Sequence, residues 1–187
     1  MATAALVACA HHSESGPNLT AVPAAVHWMD YQGMQVPAGA DGPREIAGAA
    51  TGFTHTPQGA ALAAIVHTIR VSVAADGDWP QVLRYEIAPS PGKDSLATSR
   101  PLLRYTSRAN PALAPRIRGY TLTSYTPAIA HVQIYTVYAD RSIGLNLTTV
   151  VWLANDWRLR LPDPTSTTPV VKTAKTITAA VTLEAPQ

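Results

Sequence analysis

Histidines and acidic residues are the side chains that most often act in general acid–base catalysis. His131 lies in a pattern typical of a β-strand, on the same predicted face as Tyr135. These two residues are our candidates for lining a pocket, with His131 as a general base. The acidic residues fall mostly at predicted turns or helix ends, and no predicted strand points one inward. We therefore expect no catalytic residue.

Metal and nucleophile motifs are also missing from the sequence. The histidines are dispersed, and neither His-x-x-x-His nor Cys-x-x-Cys spacing occurs. No serine lies in the Gly-x-Ser-x-Gly pattern of a hydrolase elbow. We expect no metal, no cofactor and no enzymatic activity.

The composition favours a globular domain and argues against nucleic-acid binding. The chain has 187 residues, 47% of them hydrophobic and 14% charged, which suits one domain with tails. Its net charge is only +2, and the basic residues are scattered. A nucleic-acid-binding domain concentrates such residues on one face, so we expect protein partners and no nucleic acid.

Cys9 is the single cysteine, so no internal disulfide forms. The segment Leu6-Val7-Ala8-Cys9 resembles a bacterial lipobox, in which the cysteine is lipidated after signal-peptide cleavage. The polar residues that follow, up to residue 25, have the composition of a spacer. We expect the native product to begin upstream of Met1 and to be anchored outside the membrane, through Cys9 or an upstream helix, or to be secreted. If Met1 is the true start, the chain is cytoplasmic.

Hydrophobic periodicity divides the chain into three parts. Residues 1–25 form a flexible leader or linker, residues 26–162 form one domain, and residues 163–187 form a Thr- and Pro-rich tail or an edge strand. Residues 26–50 have no regular period, and we expect an irregular segment with at most a short strand. Apolar spacing then predicts helices at 57–74, 79–88 and 94–108, and alternation predicts strands at 116–125, 128–138, 143–153 and 157–161.

Helices followed by an antiparallel meander indicate an α+β fold. We expect the N-terminal helices to pack on a curved antiparallel sheet, in a cone similar to that of nuclear transport factor 2-like folds and of periplasmic scaffold domains of type IV secretion systems.

A short motif precedes the first predicted helix: Gly-Phe-x-His-Thr-Pro-x-Gly-Ala, made by Gly52, Phe53, His55, Thr56, Pro57 and Gly59. It resembles the signature of an uncharacterised family of actinobacterial envelope proteins, and so does the Trp-containing end of the domain, Val151-Trp152 to Leu161-Pro162. The resemblance covers about residues 26–162. It implies an envelope location with an N-terminal anchor, and a link to conjugative plasmids and integrative elements. It implies no reaction.

Two interpretations of the motif remain. His55 is either a ligand or proton-transfer residue, or a structural residue whose ring bonds backbone groups at the helix start. In the structural interpretation, which we favour, Phe53 packs on the first turn and Gly59 allows close backbone packing.

Two functions follow from these observations. The leading hypothesis is a non-enzymatic envelope binding or scaffold domain, accessory to actinobacterial conjugation. The alternative is a small-molecule-binding or isomerase-like protein that uses the cavity of the cone. The sequence indicates no oligomeric state.

Overall fold

Helix α1, Pro57–Val73, packs against the main sheet and the N-terminal hairpin in the computed structural model, which describes residues 16–186. The Thr56 hydroxyl caps the helix by accepting from the Gly59 backbone N–H at 3.0 Å, and Pro57 takes the first helical position. Both features match the prediction, because a proline at this position forfeits no helical hydrogen bond. The run from Ala60 to Val66 is fully buried, so this stretch is enclosed on all sides.

The main sheet is antiparallel, and α+β is the fold class. Its strands are β3 Arg116–Tyr125, β4 Ile129–Val137, β5 Ile143–Leu153, β6 Asp156–Arg160, β7 Val171–Ala174 and β8 Val181–Thr182. Their order in the sheet is β6-β5-β4-β3-β8, and β7 pairs with β5 beside β6. The four predicted strands are confirmed to within a few residues, since alternating side chains indicate a half-buried strand directly.

A separate two-stranded hairpin lies in the segment that we expected to be irregular. Strand β1, His27–Tyr31, pairs with β2, Met34–Ala38. The turn residues Gln32 and Gly33 have φ angles of 53° and 84°, as a tight hairpin turn requires. The sequence missed this hairpin because Gln-Gly is a weaker turn signal than Asn-Gly.

The later helical segments are shorter than predicted. One turn, α2 Trp79–Gln81, continues into a π-helical turn, Val82–Glu86. Helix α3 spans Pro91–Ser99 and ends in a 3₁₀ turn, Arg100–Leu102. The predicted helix at 94–108 is therefore wrong at both ends. Ser90 caps α3 earlier, and Pro101 cannot continue the helix because it lacks an N–H.

Segments on both sides of residues 26–162 contact the domain. Gln58 Nε2 donates to the backbone carbonyls of Asn18 and Ala21 at 2.9 and 3.2 Å. At the other end, β7 and β8 extend the sheet, and Leu183 and Ala185 are buried. The C-terminal segment thus contributes edge strands.

The β5–β6 hairpin brings Trp152 and Trp157 into register, with ring centroids 5.4 Å apart. Trp157 is fully buried and Leu159 is 6% exposed, so the predicted inward stripe of β6 is confirmed.

We predict that Trp157→Ala lowers the free energy of unfolding by about 3–5 kcal/mol, because a large cavity replaces a fully buried ring. Urea unfolding measures this loss. Leu153→Ala in the same hairpin is the control: Leu153 is 40% exposed, so its loss should stay near 0.5 kcal/mol. Equal losses in the two variants would show that the β6 stripe is not core.

Candidate functional site

The motif before α1 is held by the β5–β6 hairpin. The Asp156 carboxylate accepts from the backbone N–H groups of Gly52, Phe53 and Trp157 at 2.8, 3.0 and 2.9 Å. The indole N–H of Trp157 donates to the Thr54 carbonyl at 3.0 Å. Asp156 is buried at the first position of β6. The expectation that no strand carries an inward acid is therefore wrong, because Asp156 looked like a turn residue.

His55 makes structural contacts, but with different partners from those expected. Its ring stacks on Trp152 with centroids 3.9 Å apart, and its Nε2 lies 2.5 Å from the Pro127 carbonyl in the β3–β4 turn. The Tyr125 hydroxyl donates to the His55 carbonyl at 3.3 Å. His55 thus bonds a neighbouring turn instead of the helix start.

Gly59 is required by close packing. A Cβ at this position would lie 2.1 Å from the Thr54 carbonyl oxygen, so any larger residue would push the helix start away from the motif. Phe53 packs its ring edge-on against His67 of α1, with centroids 5.2 Å apart. The role of Gly59 agrees with the structural interpretation of the motif, whereas Phe53 contacts α1 at His67, beyond the first turn on which it was expected to pack.

His67 belongs to a buried ionic cluster centred on Glu86. Glu86 Oε2 lies 2.9 Å from His67 Nδ1, and Glu86 Oε1 lies 2.6 Å from Arg70 Nε and 2.8 Å from the Ala50 backbone nitrogen. His67 Nε2 lies 3.0 Å from the Trp157 carbonyl. Glu86, His67 and Arg70 are at most 1% exposed. The cluster thus ties α1, the π-helical turn, the 48–50 loop and β6 together.

The partners define the protonation of this cluster. Burial of Glu86 favours its protonated form, but the hydrogen bond and charge of His67, the charge of Arg70 and the Ala50 N–H outweigh burial, so the pKa of Glu86 is lowered from 4.5. Ionised Glu86 and the Trp157 carbonyl are both acceptors. Each ring nitrogen of His67 faces one of them, so both nitrogens are placed to donate a hydrogen bond.

Arg70 is held by its remaining neighbours. One terminal nitrogen donates to the Gly48 carbonyl at 2.8 Å, and the guanidinium lies 4.1 Å from the centre of the Tyr31 ring. Burial raises the pKa of Tyr31 to about 12, so this ring is neutral and presents a π face to the cation.

The sequence did not single out His67, Arg70 or Glu86. His67 and Arg70 are three residues apart, and both fall within the apolar run of α1. The signal that could have identified them is the presence of two polar residues within the apolar run of a predicted helix. Pairing them with Glu86 needs tertiary structure, because nothing in the local pattern links the two segments.

The predicted pocket residues His131 and Tyr135 do not form one site. His131 is exposed, and its Nδ1 lies 3.0 Å from the Thr149 hydroxyl. Tyr135 is 5% exposed, and its hydroxyl lies 2.8 Å from that of Thr178 in the C-terminal segment. The two side chains differ because the C-terminal segment contacts Tyr135 and leaves His131 exposed. Alternation within the strand does not predict this contact.

Two adjoining cavities lie between α1 and the sheet. A cleft of about 640 Å³ opens where the edge of β5 is free between β6 and β7, and it includes His131, Arg160 and Asp163. A smaller cavity of about 360 Å³ lies under the 109–115 loop. Thr68, Ser72 and Asn146 line both.

Neither cavity combines an imidazole with a carboxylate partner. Within residues 16–186, no carboxylate lies within 4.0 Å of a His131 ring nitrogen. Asp163 is exposed, and hydrogen bonds from the Thr165 hydroxyl and N–H lower its pKa. The Glu86 cluster lines neither cavity.

The described residues contain neither a metal-ligand cluster nor a helix that could span a membrane. No three His, Cys, Asp or Glu side chains between residues 16 and 186 are grouped so that they could hold a metal ion. No helix in that part of the chain is long and apolar enough to span a membrane. Cys9, the predicted lipidation site, lies outside the described residues.

These features define an α+β domain in which a buried ionic cluster and a glycine-containing motif organise the fold. A family model described as "Domain of unknown function (DUF8175)" matches residues 2–182. The chain therefore belongs to the DUF8175 family. No curated protein and no solved structure matches the chain.

We predict that Glu86→Gln lowers the free energy of unfolding at neutral pH by about 3–5 kcal/mol, because it leaves the buried guanidinium of Arg70 without its counterion. Because the pKa of Glu86 is lower in the folded state, its ionised form stabilises the wild-type fold above pH 4.5. This stabilisation is lost as the pH falls from 4.5 through the folded-state pKa. Urea unfolding between pH 7 and pH 3 should therefore show the two proteins converging in acid.

Glu45→Gln is the matched control, because Glu45 is exposed. Its unfolding curves should follow those of the wild type at every pH. If the difference between wild type and Glu86→Gln stayed constant down to pH 3, the pKa of Glu86 would not be lowered in the folded state.

Proposed function

We propose that this domain works by binding and not by catalysis, as an extracytoplasmic binding or scaffold domain of the cell envelope that is accessory to actinobacterial conjugation. One observation carries the non-catalytic part: the only imidazole–carboxylate pair among residues 16–186 is sealed in the core. A general base must reach a substrate proton within hydrogen-bond distance. His67 has both ring nitrogens occupied by protein groups.

The motif supports a scaffold role. Its backbone N–H groups and one carbonyl are taken by Asp156 and Trp157, and His55 is stacked on Trp152. Groups engaged in this way fix the start of α1 against the sheet and leave little to bind a reacting molecule. A rigid junction between helix and sheet is what a scaffold domain needs in order to present a surface.

The proposal also includes a cone-shaped fold and a location outside the membrane. Packing of α1 across β3, β4, β5 and β6, with cavities between helix and sheet, supports a cone similar to nuclear transport factor 2-like folds. The lipobox-like segment at Cys9 and the resemblance to envelope proteins support anchoring outside the membrane.

Fractionation of native host cells tests the location. We predict that the product of the native gene sediments with membranes and is released by detergent. It should also be digested when protease is added to intact cells with permeabilised walls. A lipid anchor adds hydrophobic free energy that the folded domain lacks. Cys9→Ser should therefore move the protein to the soluble fraction if Cys9 is the anchor, whereas retention assigns the anchor to an upstream helix.

Ser15→Ala, in the same segment, is the control and should fractionate like the wild type. A protease-protected cytosolic pool that needs no detergent, unchanged by Cys9→Ser, would contradict the envelope role.

The alternative, an isomerase-like protein, is favoured by one observation: His131 lines the open cleft of about 640 Å³. Incubating the purified domain with a polar lipid extract and analysing the mixture by mass spectrometry separates the two functions. An enzyme would change a component, and His131→Gln would abolish the change. A binding domain returns every component unchanged.

A further inference from the structure

The smaller cavity, of about 360 Å³, has apolar walls and a polar floor. Its walls come from α1, the sheet and the loop before β3, with Ile65, Ile69, Leu113, Ile117 and Ile134 among them. No Asp, Glu, Lys, Arg or His lines it. Its volume is within the range of small-molecule sites, which are apolar with a few placed polar groups.

The polar floor has unused hydrogen-bonding capacity. Asn146 Nδ2 donates to Thr136 Oγ1 at 3.2 Å. Among residues 16–186, the hydroxyl hydrogen of Thr136 and Oδ1 of Asn146 have no other protein partner. Thr136 is 5% exposed. A buried donor and a nearby acceptor without partners favour a ligand group that can both accept and donate, such as a hydroxyl.

The junction with the larger cleft indicates which end of a ligand would carry its polar group. Thr68 and Ser72 of α1 and Asn146 of β5 line both spaces. A hydroxyl bound at this junction would leave an apolar chain to fill the smaller cavity. A charged head group would lose water there without meeting an opposite charge, which is unfavourable.

We propose that this cavity binds a neutral amphiphile with an apolar chain and a hydroxyl head, held by Thr136 and Asn146. The inference rests on the proposal that the domain acts by binding, and it adds the class of ligand. Leu113, 64% exposed beside the cavity, provides apolar surface along which such a chain can enter.

A fluorescent neutral probe, phenylnaphthylamine, tests the site, with three competitors of equal chain length: decanol, decanoate and decyltrimethylammonium. The probe should bind saturably at one site, and decanol should displace it at roughly tenfold lower concentration than either ion, because desolvation penalises the charge. Equal displacement by decanoate, or no saturable binding, would overturn the proposal.

Two pairs of variants locate the site. Ser72→Trp fills the junction from an exposed helical position and should abolish saturable probe binding, whereas Ser95→Trp, at an exposed position of α3 that lines neither cavity, should bind like the wild type. Thr136→Val should weaken decanol displacement roughly threefold to tenfold and leave the probe unaffected. Thr182→Val, at the exposed position of β8, should change neither.

Circular dichroism melting of each variant confirms folding before binding is measured. Probe binding that survives in folded Ser72→Trp would place the ligand elsewhere and overturn the site. This failure is distinct from failure of the binding function, which a changed lipid component or a cytosolic location would reveal.

Discussion

The ionised carboxylate of Glu86 is the constraint on which the rest of the fold depends. Its two oxygens bond a histidine and an arginine of α1 and the backbone of the 48–50 loop, and the histidine bonds β6 in turn. A buried charge is tolerated only when its hydrogen bonds and counter-charges are complete. The angle of α1 on the sheet is therefore fixed by ionic geometry as well as by apolar packing, and the space left beside the helix is fixed with it.

This arrangement separates the buried ionic cluster from the open volumes. Glu86 and His67 in the core, and the motif before α1, are engaged with protein partners. The open volumes lie on the opposite side of α1, lined mainly by apolar, hydroxyl and amide side chains. Such a division suits a domain that holds a shape and binds a ligand, because catalytic groups must face the open volume.

The sequence predicted the strands β3 to β6 and the start of α1, but it missed the N-terminal hairpin and the buried cluster. Alternation in β3 to β6 and the Thr56-Pro57 start of α1 are local signals, and the structure confirms them. The contacts that the sequence missed join residues far apart in the chain. They are the pairing of Glu86 with His67, the burial of Asp156 against Phe53, and the contact of Tyr135 with Thr178. Periodicity shows which face of an element is buried, but it does not show which distant residue meets it.

The protonation of His67 tests the account most directly. A long-range ¹H–¹⁵N spectrum of the uniformly labelled protein at neutral pH reports both ring nitrogens of each histidine. We predict that Nδ1 and Nε2 of His67 both carry hydrogens and that these exchange slowly with water, because the ring is enclosed between Glu86 and the Trp157 carbonyl. A neutral His67 ring that exchanges rapidly would contradict the account, because an open imidazole beside a carboxylate is the arrangement of a catalytic base.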